Sequence, residues 1–302
     1  MTPTPEARTG DATLGKAADE NFPVAPFFLP RAWRDDLMAV YGFARLVDDI
    51  GDGDLAPGGS DVRHLGLEPE QGDDRLAVLD ALEADLHRVF AATGDPRHPL
   101  LRGLRPTVRR RALTPEPFLG LIEANRQDQK IRRYGTYAEL AAYCELSANP
   151  VGRLVLALTG TASPDRIRRS DAVCTALQLV EHVQDVAEDL ERDRIYLPAE
   201  DMERFRVTES DLAAPSAGAS VRALIAYEAQ RASELLEEGP PLVGSVEGRL
   251  RLLLAGFVGG GRAALGAISA AGFDVLPGPP KSTRTRLLRE VGTVLSRARG
   301  ER

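Results

Sequence analysis

The sequence predicts an all-α, single-domain protein, and three observations carry that expectation. Apolar residues recur at helical spacing along nearly the whole chain. Ala, Leu and Val supply most of the apolar material while aromatics make up 5%, a composition suited to helix packing over sheet packing. Alternating strand pairs, a strand–helix–strand rhythm and internal repeats are all missing from the pattern. A length of 302 residues is within reach of one large helical domain, here residues 1–302.

The elements follow in order. Residues 1–18 read as a flexible tail, because Met1 to Gly10 are polar and Pro-rich with no apolar signal core. Pro30 and Gly53 punctuate a helix over 31–52, with Leu37, Met38, Val40, Tyr41, Phe43, Leu46, Val47 and Ile50 on a wide apolar face. The Gly-, Pro- and Asp-rich stretch 54–72 reads as a mobile loop. Asp73 and Asp74 open a second helix through Leu76, Leu79, Leu82 and Leu86, ending near Gly94. Thr114-Pro115-Glu116 opens a third, and Thr136 with Glu139 forms a capping box for a fourth. Pro150 should kink that fourth helix. Ser163-Pro164-Asp165 starts a long amphipathic segment to about 190, followed by an extended piece, Arg194-Ile195-Tyr196-Leu197-Pro198. Helical patterns resume at 219–238, 242–270 and 282–298. Gly259-Gly260-Gly261 follows no strand and is no dinucleotide-binding signal.

A net charge of −7 argues against nucleic acid as a partner. Arg102, Arg105, Arg109, Arg110 and Arg111 cluster, as do Arg166, Arg168 and Arg169. Both clusters read as solvated helix faces, with an anionic membrane or a substrate phosphate as the alternative. Cys144 and Cys174 suggest neither a disulfide framework nor a zinc site, so a reducing, cytoplasmic compartment is expected. No uninterrupted apolar stretch looks long enough to span a bilayer.

Two acidic stripes carry the chemistry. Asp48 and Asp52, four apart, share one helix face, with Arg45 and Tyr41 one and two turns earlier. Asp49 points about 100° away. Gln178, Glu181, Asp185 and Asp189 recur at intervals of three or four, with Leu177, Leu179, Val180, Val183 and Val186 on the other faces. Like charges at this spacing destabilise a helix unless a counter-ion is present. Magnesium binds one or two carboxylates together with phosphate oxygens, so two such stripes suit several Mg2+ ions held against a diphosphate. The ions would neutralise the leaving group, and an apolar wall would shield the resulting cation from water. Either stripe alone reads more readily as a solvated face; two of them, both embedded in apolar helices, bring the functional reading level with that one.

The wording around the stripes says more. Tyr41-Gly42-Phe43-Ala44-Arg45-Leu46-Val47-Asp48-Asp49-Ile50-Gly51-Asp52, and Gln178 through Asp185 and Asp189 to Arg194–Pro198, resemble the two signatures of the squalene and phytoene synthase family. Glu20-Asn21-Phe22-Pro23-Val24, Tyr143-Cys144 with Ser147-Ala148-Asn149-Pro150-Val151-Gly152-Arg153, and Gln184 resemble the hopanoid-pathway branch called HpnC, the hydroxysqualene synthases. The resemblance implies a single-domain helical bundle around a central cavity, like class I isoprenoid synthases. It implies Asp48 and Asp52 facing Asp185 and Asp189 across magnesium. It further implies presqualene diphosphate as substrate and hydroxysqualene as product, with no reduced nicotinamide (NAD(P)H). The sequence departs from the family at Glu181, where asparagine is usual; glutamate still offers an oxygen ligand on the same face.

Metal ligation is therefore expected of Asp48, Asp52, Glu181, Asp185 and Asp189. Substrate contact is expected of Arg45, Gln178, Glu181, Arg194 and Tyr196. Tyr41, Arg45, Tyr143 and Asn149 are the catalytic candidates. For Arg45 the competing role is a salt bridge to Asp48 or Asp49, for the tyrosines core packing, and for Arg194 and Tyr196 a structural turn. His182 reads as a surface or supporting histidine. The rival functions are head-to-head prenyl transfer from farnesyl or geranylgeranyl diphosphate, giving presqualene diphosphate, squalene or a carotenoid precursor, and a non-catalytic helical binding protein. A lipid product leads us to expect transient contact with the inner face of the cell membrane.

Overall fold

The computed structural model describes residues 13–15 and 25–300. Most of the 1–18 tail and the Glu20–Val24 motif lie outside these residues. Thr13 to Gly15 are helical, and Leu14 lies so close to Gly42 that a Cβ there would sit 3.1 Å from its Cδ2. The chain divides into two compact units, Met1–Lys130 with Arg153–Ala162, and Ile131–Gly152 with Ser163–Arg302. Among the described residues every regular element is helical, apart from one isolated parallel bridge between Arg133 and Ile195.

In the first unit, α1 (Arg31–Asp52) packs on α3 (Arg75–Phe90), α4 (Pro99–Arg111) and α5 (Glu116–Asp128), with the short α2 (Ser60–His64) between α1 and α3 in the chain. The predicted punctuation holds: Pro30 caps the start of α1, and Gly53 ends it in the left-handed region at φ 77°, a conformation that favours glycine. Asp74 accepts the Ala77 N–H at 3.1 Å and so caps α3. The core holds Phe43, Leu46 and Ile50 of α1 against Leu79, Leu82, Leu86, Leu101, Leu104, Phe118 and Ile122. Phe43 and Phe118 meet edge to face at 5.2 Å.

The stretch 54–72, expected as a mobile loop, carries α2 and a 3-10 turn over Pro69–Asp73. Buried Asp61 on α2 is 3.0 Å from His98 Nε2. His98 Nδ1 accepts the Leu100 N–H at 3.3 Å, which leaves Nε2 as the protonated nitrogen that donates to Asp61. The pair thereby ties α2 to the start of α4. Asp85 adds a second tie by accepting the backbone N–H groups of Arg97 and His98, the latter at 2.8 Å.

The arginine clusters are not simply solvated. Arg110 and Arg111 both pair with buried Asp36, Arg111 at 2.7 Å. Burial would raise the Asp36 pKa, but hydrogen bonds from Arg110, Arg111 and Thr107 outweigh it and hold the carboxyl below its usual range. In the second unit, Arg168 and Arg169 pair with Asp165, and Arg166 donates to Ser245.

The second unit comprises α6 (Tyr137–Ser147), the first turn of α7 (Asn149–Leu158), α8 (Pro164–Gln184), α9 (Val186–Glu191), α10 (Ala199–Phe205), α11 (Glu209–Leu212), α12 (Ala219–Leu235), α13 (Gly239–Gly244), α14 (Gly248–Ala270) and α15 (Arg284–Gly300). The Thr136–Glu139 capping box forms as expected, and Ser163 accepts the Arg166 N–H at 3.3 Å. The chain breaks at Ala148 between α6 and α7, ahead of Pro150. Helix α8 is central, with α6, α12 and α14 packed on it.

Helix α14 is, by length and mean hydropathy, apolar enough to cross a membrane, which the sequence reading did not expect, yet over half of its most apolar window is buried inside the protein. Its glycine run explains the packing. A Cβ on Gly259 would meet the Val291 backbone N at 2.8 Å, and one on Gly261 would meet Leu177 Cδ2 at 2.7 Å. The helix is a core element.

Candidate active site

The first stripe sits at the C-terminal end of α1. Asp48 is exposed, and Asn125 Nδ2 on α5 donates to its Oδ1 at 3.3 Å. Tyr41 and Asp52 are partly exposed on the same helix. Arg45 Nε donates to Asp49 Oδ1 at 2.9 Å, and Asp49 is buried. The structure thus shows the salt bridge that competed with a substrate role for Arg45.

Three residues not singled out from the sequence brace this helix end. The Gly51 carbonyl, one of the last of α1 and in need of a partner, accepts from Arg75 Nη1 and from Gln129 Nε2, both at 3.0 Å. Asn125 sits so close that a Cβ on Gly51 would lie 1.8 Å from its Oδ1. Asn125 and Gln129 are four apart and share a face, the one signal in the sequence that could have found them.

The second stripe differs from the single continuous helix expected to about 190. Helix α8 ends at Gln184, and Asp185 occupies the break at φ −102°, ψ 16° before α9 begins. The Asp189 N–H still donates to the Asp185 carbonyl at 2.8 Å, so the register of four survives the bend. Glu181 is exposed, whereas Asp185 and Asp189 are partly buried. Burial, then Glu188, raises the Asp185 pKa. Burial, then the negative charge of Asp185 and more weakly Glu181, pushes Asp189 up to about 7 against the pull of Arg194 and Arg192. Glu181, Asp185, Asp189 and Arg194 therefore form one electrostatic group.

Behind this stripe lies an aromatic stack. Tyr196 lies flat on His182, centroids 4.0 Å apart and planes 8° apart. Tyr143 is 5.7 Å from Tyr196, and Tyr134 is 5.5 Å from Tyr143. His182 is buried, which excludes the surface reading and leaves the supporting one, because Tyr143 and Tyr196 cover it. Its Nε2 accepts from Gln178 Nε2 at 3.1 Å, and burial pushes its pKa down to about 3, so the ring is neutral. Gln178 also donates to Glu181 Oε2 at 3.4 Å.

The 194–198 segment is pinned by backbone. The Ile195 N–H donates to the Arg132 carbonyl and the Ala199 N–H to the Tyr134 carbonyl, both at 2.9 Å. Asn149 is buried, and its Oδ1 accepts from Thr175 Oγ1 at 3.0 Å. The glycine that follows is equally constrained, since a Cβ on Gly152 would lie 2.3 Å from Ser170 Oγ and 2.6 Å from Cys174 Sγ. The Asn149–Gly152 motif thus seats the start of α7 on α8. Asp48 and Asp52 belong to the first unit, and Gln178, Glu181, Asp185, Asp189, Arg194, Tyr196, Tyr143 and Asn149 to the second.

Carboxylate oxygens are the donor set that magnesium prefers, and the raised Asp189 carboxyl is compatible with a cation beside it. A carboxyl raised by burial and two anionic neighbours is relieved by bound positive charge.

Comparison with known proteins agrees. The family described as Squalene/phytoene synthase matches residues 16–288. A hydroxysqualene synthase of Rhodopseudomonas palustris is 32% identical over 82% of this chain and 77% of its own. A phytoene synthase of Arthrospira platensis is 33% identical over 70% of this chain and 68% of its own. Among solved structures, squalene synthase HpnC from Alicyclobacillus acidocaldarius is 40% identical with a TM-score of 0.75, covering 90% of this chain and 97% of that one.

Proposed function

The chain belongs to the squalene/phytoene synthase family and is an isoprenoid synthase, and from that premise we propose that it converts presqualene diphosphate to hydroxysqualene with magnesium. One observation carries the metal-assisted ionisation: Glu181, Asp185 and Asp189 crowd one stripe, where burial and like charge raise the Asp185 and Asp189 carboxyls, and a bound cation would relieve them. The likeness to HpnC and to a hydroxysqualene synthase supports the choice of branch.

In this reading Asp48, Asp52, Glu181, Asp185 and Asp189 would hold the magnesium ions, which would supply positive charge to the diphosphate. Arg194 adds guanidinium charge beside Asp189, and Arg45 contacts the substrate diphosphate. The carbon–oxygen bond breaks and its electron pair leaves with diphosphate. The cyclopropylcarbinyl cation rearranges, a water oxygen bonds to it, and a proton is released. Tyr41 and Tyr143 offer ring faces to the passing cation, and Tyr196 closes over the diphosphate. Gln178 orients substrate beside Glu181, and buried Asn149 holds the wall of the site in place. Glu181 serves as an oxygen ligand where relatives use asparagine. The reaction needs no reduced nicotinamide, and it takes place in the cytoplasm at the inner face of the cell membrane.

The test is incubation of purified protein with magnesium and presqualene diphosphate, without reduced nicotinamide, followed by mass spectrometry of the organic extract. A magnesium-dependent hydroxysqualene peak is expected. The comparable identity to a phytoene synthase favours one second reading, condensation of two prenyl diphosphates. Consumption of farnesyl or geranylgeranyl diphosphate alone, with no turnover of presqualene diphosphate, would move the assignment there.

A further inference from the structure

Helix α15 carries five arginines against one glutamate in a chain of net charge −7; α4 is comparably arginine-rich, but its Arg110 and Arg111 are held by buried Asp36. The inner side of α15 is committed to packing through Val294 and Ala298, both fully buried. Two of the arginines are committed as well: Arg289 to Glu290 at 3.0 Å, and Arg297 to Glu237 at 2.9 Å.

The outer side is different. Arg284, Leu288, Leu295 and Arg299 recur at intervals that place them along one face. Leu288 is 72% exposed. Neither Arg284 nor Arg299 makes an ion pair among the described residues. At the far end of this face Leu295 and Arg299 meet Arg251 and Leu252 of α14, around a cleft of about 390 Å³ that Glu247 and Gly248 complete. Arg251 Nη2 donates to the Leu295 carbonyl at 3.3 Å, and Leu252 is 46% exposed. Glu247 is the one acidic group in that lining.

Single exposed leucines need no explanation. An exposed leucine sharing a helix face with arginines that make no ion pair, next to a second exposed leucine on the neighbouring helix, does, because that pattern suits the boundary between lipid headgroups and acyl chains. We propose that the Arg284–Leu288–Leu295–Arg299 face of α15, extended by Leu252, docks the protein on an anionic phospholipid bilayer. Leu288 and Leu252 enter the acyl boundary, and Arg284, Arg251 and Arg299 pair with lipid phosphates. Charge complementarity selects this occupant: in an acidic chain, Arg284 and Arg299 share a face with exposed Leu288, which suits a negative surface. The proposal goes beyond the reaction above and does not depend on it.

The test is co-sedimentation of the full chain with phosphatidylcholine vesicles, with and without phosphatidylglycerol, at low and high salt and without substrate. Binding to the phosphatidylglycerol vesicles, lost at high salt, is expected. Each Arg→Gln change at 284 or 299 should weaken it about fivefold, and both together about twenty-five-fold. Leu288→Ser should weaken it about tenfold, with circular dichroism melts of all variants unchanged. Equal binding to neutral vesicles, or binding indifferent to Arg284→Gln/Arg299→Gln, would overturn the proposal. So would a dimer by ultracentrifugation that Leu288→Ser dissociates while vesicle binding is absent. Turnover is not read in this experiment, so failure of the proposed reaction leaves its outcome intact.

Discussion

Asp189→Asn should make the metal-free protein more stable and deaf to magnesium. In the folded chain the Asp189 carboxyl titrates at about 7 against an ordinary 3.8. Three pKa units correspond to roughly 4 kcal/mol, which partial exposure and screening reduce to about 1–2 kcal/mol. The sign follows from linkage: a raised carboxyl costs nothing below its unfolded pKa, and the cost grows from pH 4 to pH 7 and is complete above. Asparagine removes the charge and keeps the shape. In chelator at pH 8 the variant should therefore melt about 2–5 °C above the parent chain, and the gap should shrink toward pH 5. With magnesium and inorganic diphosphate added, the parent should gain stability and the variant should gain much less. A variant that melts below its parent at pH 8, or gains as much from magnesium, would refute the reasoning that Asp189 is a destabilised ligand awaiting a cation.

Three further outcomes can be checked. Gly51→Ala should leave stability within about 1 kcal/mol, since alanine's helix preference offsets the displacement of Asn125. It should nonetheless raise the magnesium concentration needed for turnover, because Asn125 no longer steadies Asp48; an unchanged magnesium titration would sink that link. Glu181→Asn should retain turnover within about tenfold, one lost ligand charge being worth about a kcal/mol or so at an exposed position, and complete loss would mean the site depends on the carboxylate. Asp36→Ala should cost about 3 kcal/mol in urea unfolding by leaving Arg111 and Arg110 without their buried partner, with turnover per folded molecule unaffected.

Helices and their caps were legible because their causes are local. Pro30, Gly53, Asp74, Thr136 and Ser163 each act within a turn of their own position. The acidic stripes were legible for the same reason: spacing on one helix is a property of that helix. What escaped was set by partners distant in sequence. Nothing near Gly51 announces that Arg75 and Gln129 will claim its carbonyl, and nothing near His182 announces Tyr196 lying over its ring. The helical turns within 54–72 escaped as well, because the pair that ties them down, Asp61 with His98, is long-range and composition cannot see it. The bend at Asp185 has no proline or glycine to mark it, so periodicity ran straight through.

Helix α14 has a consequence for how the chain is made. As it emerges from the ribosome, Gly248–Ala270 is a segment that the insertion machinery reads by hydropathy before any partner helix exists. Arg249, Arg251 and Arg262 lie within it. An arginine at the centre of a would-be span costs about 2.5–3.5 kcal/mol of insertion, and Arg262, which pairs with Glu237 after folding, lies well inside the stretch. The residue that pairs with Glu237 in the finished protein therefore also weighs against insertion of the unfinished one. Replacing it by leucine would change the fate of the nascent chain more than the stability of the mature fold.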